Sequence, residues 1–264
     1  MSVFRAGNHK FLLGKKTYVM GILNVTPDSF SDGGKWESPD KAIFHALEMQ
    51  KFGADIIDIG AQSTRPGYEE ISADEELQRL LPVLKALQNK INVPISIDTY
   101  YPRVAKEALQ LGASIINDVT GFKNEEMLSV VLKSDCGLIV MHNEGIDSMK
   151  AFFENFLEKA KQYKIEKSRV CFDPGIGFGK TYEENLLCIK NLADLKVKDY
   201  AILMGLSKKR FIGRASDEVP INERLFGTIA ADTVAIINGA DIIRVHDVKE
   251  AVLAAKVTDA ILHA

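Results

Sequence analysis

Short apolar, β-branched runs recur along the chain at 18–23 (YVMGIL), 55–60 (DIIDIG), 94–98 (PISID), 114–118 (SIIND), 137–142 (GLIVMH), 169–173 (RVCFD), 200–205 (YAILMG) and 241–245 (DIIRV). Each is followed by a loop and then by apolar positions at helical spacing. Ala42, Ile43, Ala46 and Leu47 form one such stripe, Leu77, Leu80, Leu81 and Leu84 a second, and Val234 with Ile237 a third. Helix starts are expected at Ser38 before Pro39, at Ser72 ahead of Glu75 and at Asn222 ahead of Arg224, where a short oxygen-bearing side chain can accept from the first free N–H groups. Near-continuous apolar strands alternating with helices indicate a parallel sheet covered by helices. A closed barrel and an open doubly wound sheet both meet that pattern. The count and spacing favour a (β/α)8 TIM barrel, an architecture that takes about 250 residues. Residues 3–17, apolar around Gly7-Asn8, read as a small β-hairpin covering the barrel bottom. With no linker or low-complexity stretch, one domain over 1–264 is expected.

In such a barrel, chemistry sits at the C-terminal ends of the strands. Asn24 ends the first run, Asp98 the third, Asn117 and Asp118 the fourth, His142 the fifth and Asp173 the sixth. The seventh runs into Ser207-Lys208-Lys209, and the eighth contains Arg244 and leads to His246. A single Asp at a strand end is more often a helix cap, but convergence from so many strands on one rim describes a pocket. Asp98, Asn117 and Asp173 can accept from a flat heterocycle with an amidine-like or guanidine-like edge. Arg65, Lys209, Arg244 and His246 would hold an anion. A ligand with a donor-rich ring at one end and phosphate at the other satisfies both sets.

Composition narrows the partners. Hydrophobic content of 46% and charged content of 26% suit a globular protein with one sizeable core. The net charge of −3 gives no global field toward nucleic acid or anionic lipid, so neither is expected as a partner. No apolar stretch approaches the roughly 20 residues that span a bilayer, and charge and Gly interrupt the start before a signal-peptide core could form. The three cysteines form no C-x-x-C pair; Cys136 and Cys171 lie beside or within apolar runs, and a reduced, cytoplasmic protein is expected. NVTPDSFSDGG (24–34) and STRPG (63–67) have the turn-forming composition of surface loops. DPGIGFGK (173–180) lacks the spacing of a nucleotide P-loop, and its glycines instead suit close approach of backbone to a ring system.

At these residues the chain resembles the dihydropteroate synthase family over essentially its whole length. NVTPDSFSDGG and GAQSTRPG (60–67) look like that family's first and second loops, and SIDTY (96–100), INDVTG (116–121), DPGIGFGK, GLSKKRF (205–211) and IIRVHDV (242–248) like its remaining signatures. The resemblance implies condensation of 6-hydroxymethyl-7,8-dihydropterin pyrophosphate with p-aminobenzoate to give 7,8-dihydropteroate and pyrophosphate. It implies that Asp98, Asn117, Asp173 and Lys209 hold the pterin, with Met141, Gly177, Phe178 and Gly205 lining its slot. Asn24, Arg65, Arg244 and His246 would hold the pyrophosphate, with Mg²⁺ at Asn24 and Asp32. Phe30, Thr64, Arg65, Pro66 and Lys209 would shape the p-aminobenzoate site, and the catalytic set would be Asn24, Asp32, Arg65, Lys209, Arg244 and His246. A homodimer is implied too, with 222–238 as the candidate interface. The chain departs from the family at Gln62, where Glu is frequent, and at Arg210, where many members carry Ser.

Other residues carry blander readings. Asp55 and Asp58 are expected to be structural, Asp118 to orient the Asn117 loop, and His142 to sit on the rim. His9, His45 and His263 read as surface residues, and the lysines of 159–167 as a solvated helix face. Two other functions compete. A methyltetrahydrofolate-dependent methyltransferase shares a pterin-binding barrel but needs no pyrophosphate site. A catalytically silent pterin-binding paralogue should have lost Asn24, Arg65, Lys209 or His246, all of which are present.

Overall fold

The computed structural model describes residues 2–25, 39–62 and 70–264. The chain opens with an antiparallel hairpin, β1 (Val3–Ala6) and β2 (His9–Leu12). Then come β3 (Tyr18–Asn24), α1 (Pro39–Phe52), β4 (Ile56–Gly60), α2 (Ala73–Leu87), β5 (Ile95–Asp98), α3 (Pro102–Gln110), β6 (Ile115–Asp118), α4 (Glu125–Val131) and β7 (Gly137–Met141). The second half holds α5 (Met149–Gln162), β8 (Val170–Asp173), α6 (Tyr182–Lys190), α7 (Leu192–Leu195), β9 (Ala201–Met204), α8 (Arg210–Ala215), α9 (Leu225–Ile237), β10 (Ile242–Val245) and α10 (Val248–Leu262). Strands β3 to β10 pair in parallel and close into a barrel in the order β10-β3-β4-β5-β6-β7-β8-β9. Every expected barrel strand is present; β3 runs one residue longer than expected, to Asn24, and the others are shorter by one or two residues.

Alternation along each strand divides the core in two. Leu23, Ile57, Ile59, Ile97, Ile116, Val140, Phe172, Ile202 and Ile243 pack outward against the helices. Tyr18, Met20, Ile56, Ile115, Ile139, Cys171, Leu203 and Ile242, on the alternate positions of their strands, form a second cluster with Phe4, Ala6 and Phe11 of the hairpin. The hairpin therefore stoppers the lower lumen, with the Phe11 ring edge-on to Tyr18 at 4.9 Å. Gly137 opens β7 because a Cβ there would stand 2.7 Å from Phe4 Cζ.

Helix boundaries follow local chemistry. Ser72 caps α2 by accepting from Glu75 N, as expected. The expected cap at Asn222 is not formed: the chain makes a 3₁₀ turn over Ile221–Glu223 after Pro220, and α9 starts behind it at Leu225 with Arg224 at its cap position. Ser38 lies outside the described residues. Thr181 and Glu184 form a reciprocal capping box at α6. On α9 the apolar spacing is helical, but Val234 and Ile237 point away from the barrel and are exposed. No helix among the described residues is long and apolar enough to cross a membrane.

Candidate active site at the upper lumen

Strand register alone assembles one wall. Asn24 lies beside Gly60, Gly60 beside Asp98, and Asp98 beside Asn117, across β3 to β6. These positions share one side of the sheet, facing the lumen above the apolar stopper. Gly60 contributes no side chain, so Asn24 and Asp98 face each other across it: a Cβ there would sit 3.5 Å from Asp98 Cβ and 3.9 Å from Asn24 Oδ1.

Arg244 of β10 spans the lumen to this wall. Its Nε donates to Asp58 Oδ2 at 2.6 Å and its Nη2 to Asp98 Oδ2 at 2.7 Å. Asn117 Nδ2 donates to the same Asp58 oxygen at 3.2 Å, so one carboxylate orients both the guanidinium and the amide. Asp58 is fully buried, a structural acid as expected, and what it holds in place is two candidate site residues. The signal was its spacing: with Gly60, it lies on the lumen-facing side of an otherwise apolar strand. Burial works against the charge of Arg244, but Asp58 and Asp98 outweigh it and raise its pKa further. Burial also raises the Asp98 carboxyl above its ordinary value, with Arg244 pulling it back. Asp98 Oδ1 has no hydrogen-bond partner among the described residues.

The opposite wall comes from the loops after β8 and β9. Asp173 Oδ1 accepts from Gly175 N at 2.7 Å, and burial raises its carboxyl with Lys209 opposing. Gly175 is left-handed (φ +67°), and a Cβ there would lie 1.9 Å from His142 O, so no other residue fits without backbone movement. Lys209 Nζ donates to the Ile176 carbonyl and lies 4.9 Å from the Phe178 ring centroid. Its stem packs against Gly177, where an added Cβ would come within 3.2 Å of Lys209 Cδ. Gly205 leaves similar room, with Lys209 Nζ at 4.0 Å from its Cβ position, and Met141 is buried nearby against the Gly175 turn. Burial pushes the Lys209 ammonium down to about 8, with Asp173 opposing that shift.

At the rim, Ser207 Oγ meets His246 Nδ1 at 2.9 Å and accepts from its backbone N–H at 3.2 Å, fixing the ring beside the lumen. Asn24, Asp98, Asn117, Met141, Asp173, Gly177, Phe178, Gly205, Lys209, Arg244 and His246 are thus gathered at one end of the barrel. Phe30, Asp32, Thr64, Arg65 and Pro66 lie outside the described residues. Gln62 Nε2 donates to Tyr100 Oη at 2.9 Å, a structural tie. Asp118 accepts from Thr120 and Phe122, holding the loop after Asn117. Asp55 binds Lys16 and the Val19 N–H. His142, expected on the rim, is instead fully buried, with Nε2 at 2.9 Å from Ser148 Oγ. Ser207 and Lys180 stood out in the sequence only as members of longer motifs, and Asp58 only as a structural acid, since their contacts depend on partners far away in sequence.

The cavity thus presents buried acceptors on one side, a cation over an aromatic ring on the other, and Arg244 with His246 toward the rim. It suits a flat, donor-edged ring held deep, with an anionic group above it. The comparisons agree with that chemistry. A family model described as pterin binding enzyme matches residues 20–246. The dihydropteroate synthase of Clostridium beijerinckii is 45% identical over 98% of this chain and 99% of its own length. That of Bacillus subtilis is 46% identical over 94% and 90% respectively. Among solved structures, the Clostridium difficile dihydropteroate synthase, determined in the presence of pteroic acid, has 48% identity and a TM-score of 0.91, covering 96% of this chain and all of that one. The Xanthomonas albilineans dihydropteroate synthase with 4-aminobenzoic acid has 36% identity and a TM-score of 0.92, with full coverage of both chains. With this lumen and these relatives, the chain belongs to the pterin-binding enzyme family and, within it, to the dihydropteroate synthases.

Proposed function

We infer that this chain joins 6-hydroxymethyl-7,8-dihydropterin pyrophosphate to p-aminobenzoate, releasing 7,8-dihydropteroate and pyrophosphate. The observation that carries this reading is the pairing of a deep acceptor wall (Asp98, Asn117 and Asp173) with cationic groups higher in the same lumen. The ring's donor edge is read against the three acceptors, with Lys209 beside it. Met141, Gly177, Phe178 and Gly205 line the slot. Arg244 uses Nε and one Nη2 hydrogen on its two carboxylates; its remaining N–H groups, together with His246, are assigned to the pyrophosphate. Arg65, Thr64, Pro66 and Phe30 are assigned to the arylamine by resemblance alone.

The nucleophile is an arylamine, neutral at pH 7, so no strong base is needed. The amine nitrogen bonds to the pterin methylene carbon, the C–O bond breaks with its electron pair passing to pyrophosphate, and the surplus ammonium proton goes to solvent. Arg244 and His246 stabilise the departing charge, as preorganised donors do. Asp98 and Asp173 offset positive charge spreading into the ring. A dissociative displacement follows from that arrangement.

Mg²⁺ fits the donor set. It commonly takes one or two protein oxygens and completes its shell with phosphate and water. Asn24, a half-buried residue at the end of β3, brings one amide oxygen, and Asp32 is assigned to the same ion. Bound there, the ion would neutralise charge on the leaving pyrophosphate. A reduced, cytoplasmic setting suits three buried free thiols. A homodimer through α9 and α10 suits their exposed Phe226, Val234, Ile237, Leu253, Val257 and Ile261. Phe226→Asp with Ile237→Asp is expected to halve the mass measured by light scattering; an unchanged mass would remove that interface.

Incubation with both substrates and Mg²⁺ is expected to give dihydropteroate and pyrophosphate in equal amounts. Without p-aminobenzoate, slow solvolysis of the pterin pyrophosphate is expected. Pyrophosphate release strictly dependent on the arylamine would count against the dissociative step, and pterin binding with no product would favour the silent paralogue.

A further inference from the structure

Lys180 closes the DPGIGFGK segment, and the reaction as described gives it no task. Its Nζ donates to the Glu144 carbonyl at 2.8 Å and lies 3.2 Å from His142 Nδ1. The carbonyls of Gly175 and Phe178 are each 3.4 Å away, and that of His142 is 3.5 Å away. An ammonium has three protons, so these five acceptors are served partly by hydrogen bonds and partly by ion–dipole attraction.

The acceptors come from two loops pressed together, one after β7 and one after β8. Gly175, Gly177 and Gly179 are all left-handed, at φ +67°, +84° and +58°. Side chains at Gly175 and Gly179 would strike the His142 and Asn143 carbonyls, at 1.9 and 2.4 Å. Backbone packed this closely turns several carbonyl dipoles toward one point, where they repel each other unless a cation sits between them. His142 completes the cage. Nδ1 presents its lone pair to Lys180 and Nε2–H donates to Ser148 Oγ, an assignment made from the hydrogen-bond network.

The caged turn is also the wall that receives Lys209. Ile176, whose carbonyl accepts from Lys209 Nζ, lies between Gly175 and Phe178, whose carbonyls face Lys180. Gly177, against which the Lys209 stem packs, lies there too. We propose that Lys180 is a positioning residue for the pterin site, its ammonium acting as a built-in cation that sets the shape of the 175–178 turn and so the seat of Lys209. The proposal rests on the pterin reading given above.

The test compares wild type with Lys180→Met and Lys180→Ala, using 6-hydroxymethylpterin as the probe. Titration calorimetry gives pterin binding, hydrogen exchange reports the amides of Gly177 and Phe178, and steady-state kinetics give the KM for p-aminobenzoate. Lys180→Met is expected to weaken pterin binding tenfold or more and to speed exchange at those amides, with the p-aminobenzoate KM, to which Lys209 also contributes, changed by a smaller factor. In Lys180→Ala, ammonium chloride should restore binding, and tetramethylammonium chloride, too large for the cage, should not. Pterin binding and exchange within twofold of wild type in folded Lys180→Met would overturn the proposal. If that variant does not fold, Lys180→Gln is judged by the same limits. Failure of both to fold would make Lys180 a determinant of folding, and would equally overturn it. Wild-type protein that does not bind the pterin would sink the functional reading instead, and the exchange comparison would still decide the role of Lys180 in the turn.

Discussion

Arg244→Met is expected to lower kcat/KM by about a hundred- to a thousandfold, the range seen when one donor to a developing anion is removed. The same change should destabilise the barrel. Asp58 is fully buried and Asp98 nearly so, and Arg244 is the cation that both contact, at 2.6 and 2.7 Å. Removing one partner of a buried ion pair typically costs about 3–5 kcal/mol, because the remaining charge is left without compensation. At roughly 2–4 °C per kcal/mol for a chain of this size, the melting temperature should fall by about 10 °C. Adding Asp58→Asn to Arg244→Met should return much of that stability and none of the activity, since a neutral amide of the same shape needs no counter-charge. Arg244→Lys should recover little of either, because one ammonium cannot reach both carboxylates in the geometry of the fork. Thermal unfolding of the three variants, read beside their kcat/KM, checks the account. A single variant melting within 2 °C of wild type would show that the pair is not needed to hold the lumen.

Lys209→Met should move activity and stability in opposite directions. Pterin binding should be lost, because the ammonium near Asp173 and above the Phe178 ring disappears. Stability should rise by about 1 kcal/mol, because burying the charge is costly and the methionine stem still packs on Gly177. The lysine's folded pKa, about 8, lies below its ordinary value of 10.5. The unfolded chain therefore binds more protons between those limits, and on this group's account stability rises with pH across that window. Below about 8 the penalty is present in full. Function has the reverse dependence: wild-type affinity for the pterin substrate should fall as pH passes about 8, and in Lys209→Arg that limb should move beyond pH 10. Flat pterin affinity from pH 7 to 9.5 in wild type would remove Lys209's charge from recognition.

The strands were legible because a parallel barrel buries both faces of each one, leaving apolar runs that polar residues end abruptly, as at Asn24, Asp98 and Asp173. Residues at those ends were legible for the same reason. Asp58 was harder, because it interrupts an apolar run in the manner of a structural acid, and its importance depends on Arg244, 186 positions away. The His142–Lys180 contact was hidden likewise, since two loops distant in sequence create it. Asn222 failed as a cap because the preceding Pro220 favours a turn there, which spacing alone does not reveal. Val234 and Ile237 have correct helical spacing, but a periodicity does not say which side of a helix meets the barrel.

The aromatic stopper at the barrel floor has a consequence for traffic. With Phe4 and Phe11 filling the lower end, a ligand seated on Asp98, Asn117 and Asp173 enters and leaves through the rim alone. On the proposed reaction, the deeper-seated pterin substrate is expected to enter before the arylamine. The joined product is then expected to withdraw pterin end last, after pyrophosphate has left by the same mouth. A cul-de-sac of this kind imposes a queue, and sequential kinetics are the expected signature of that plumbing.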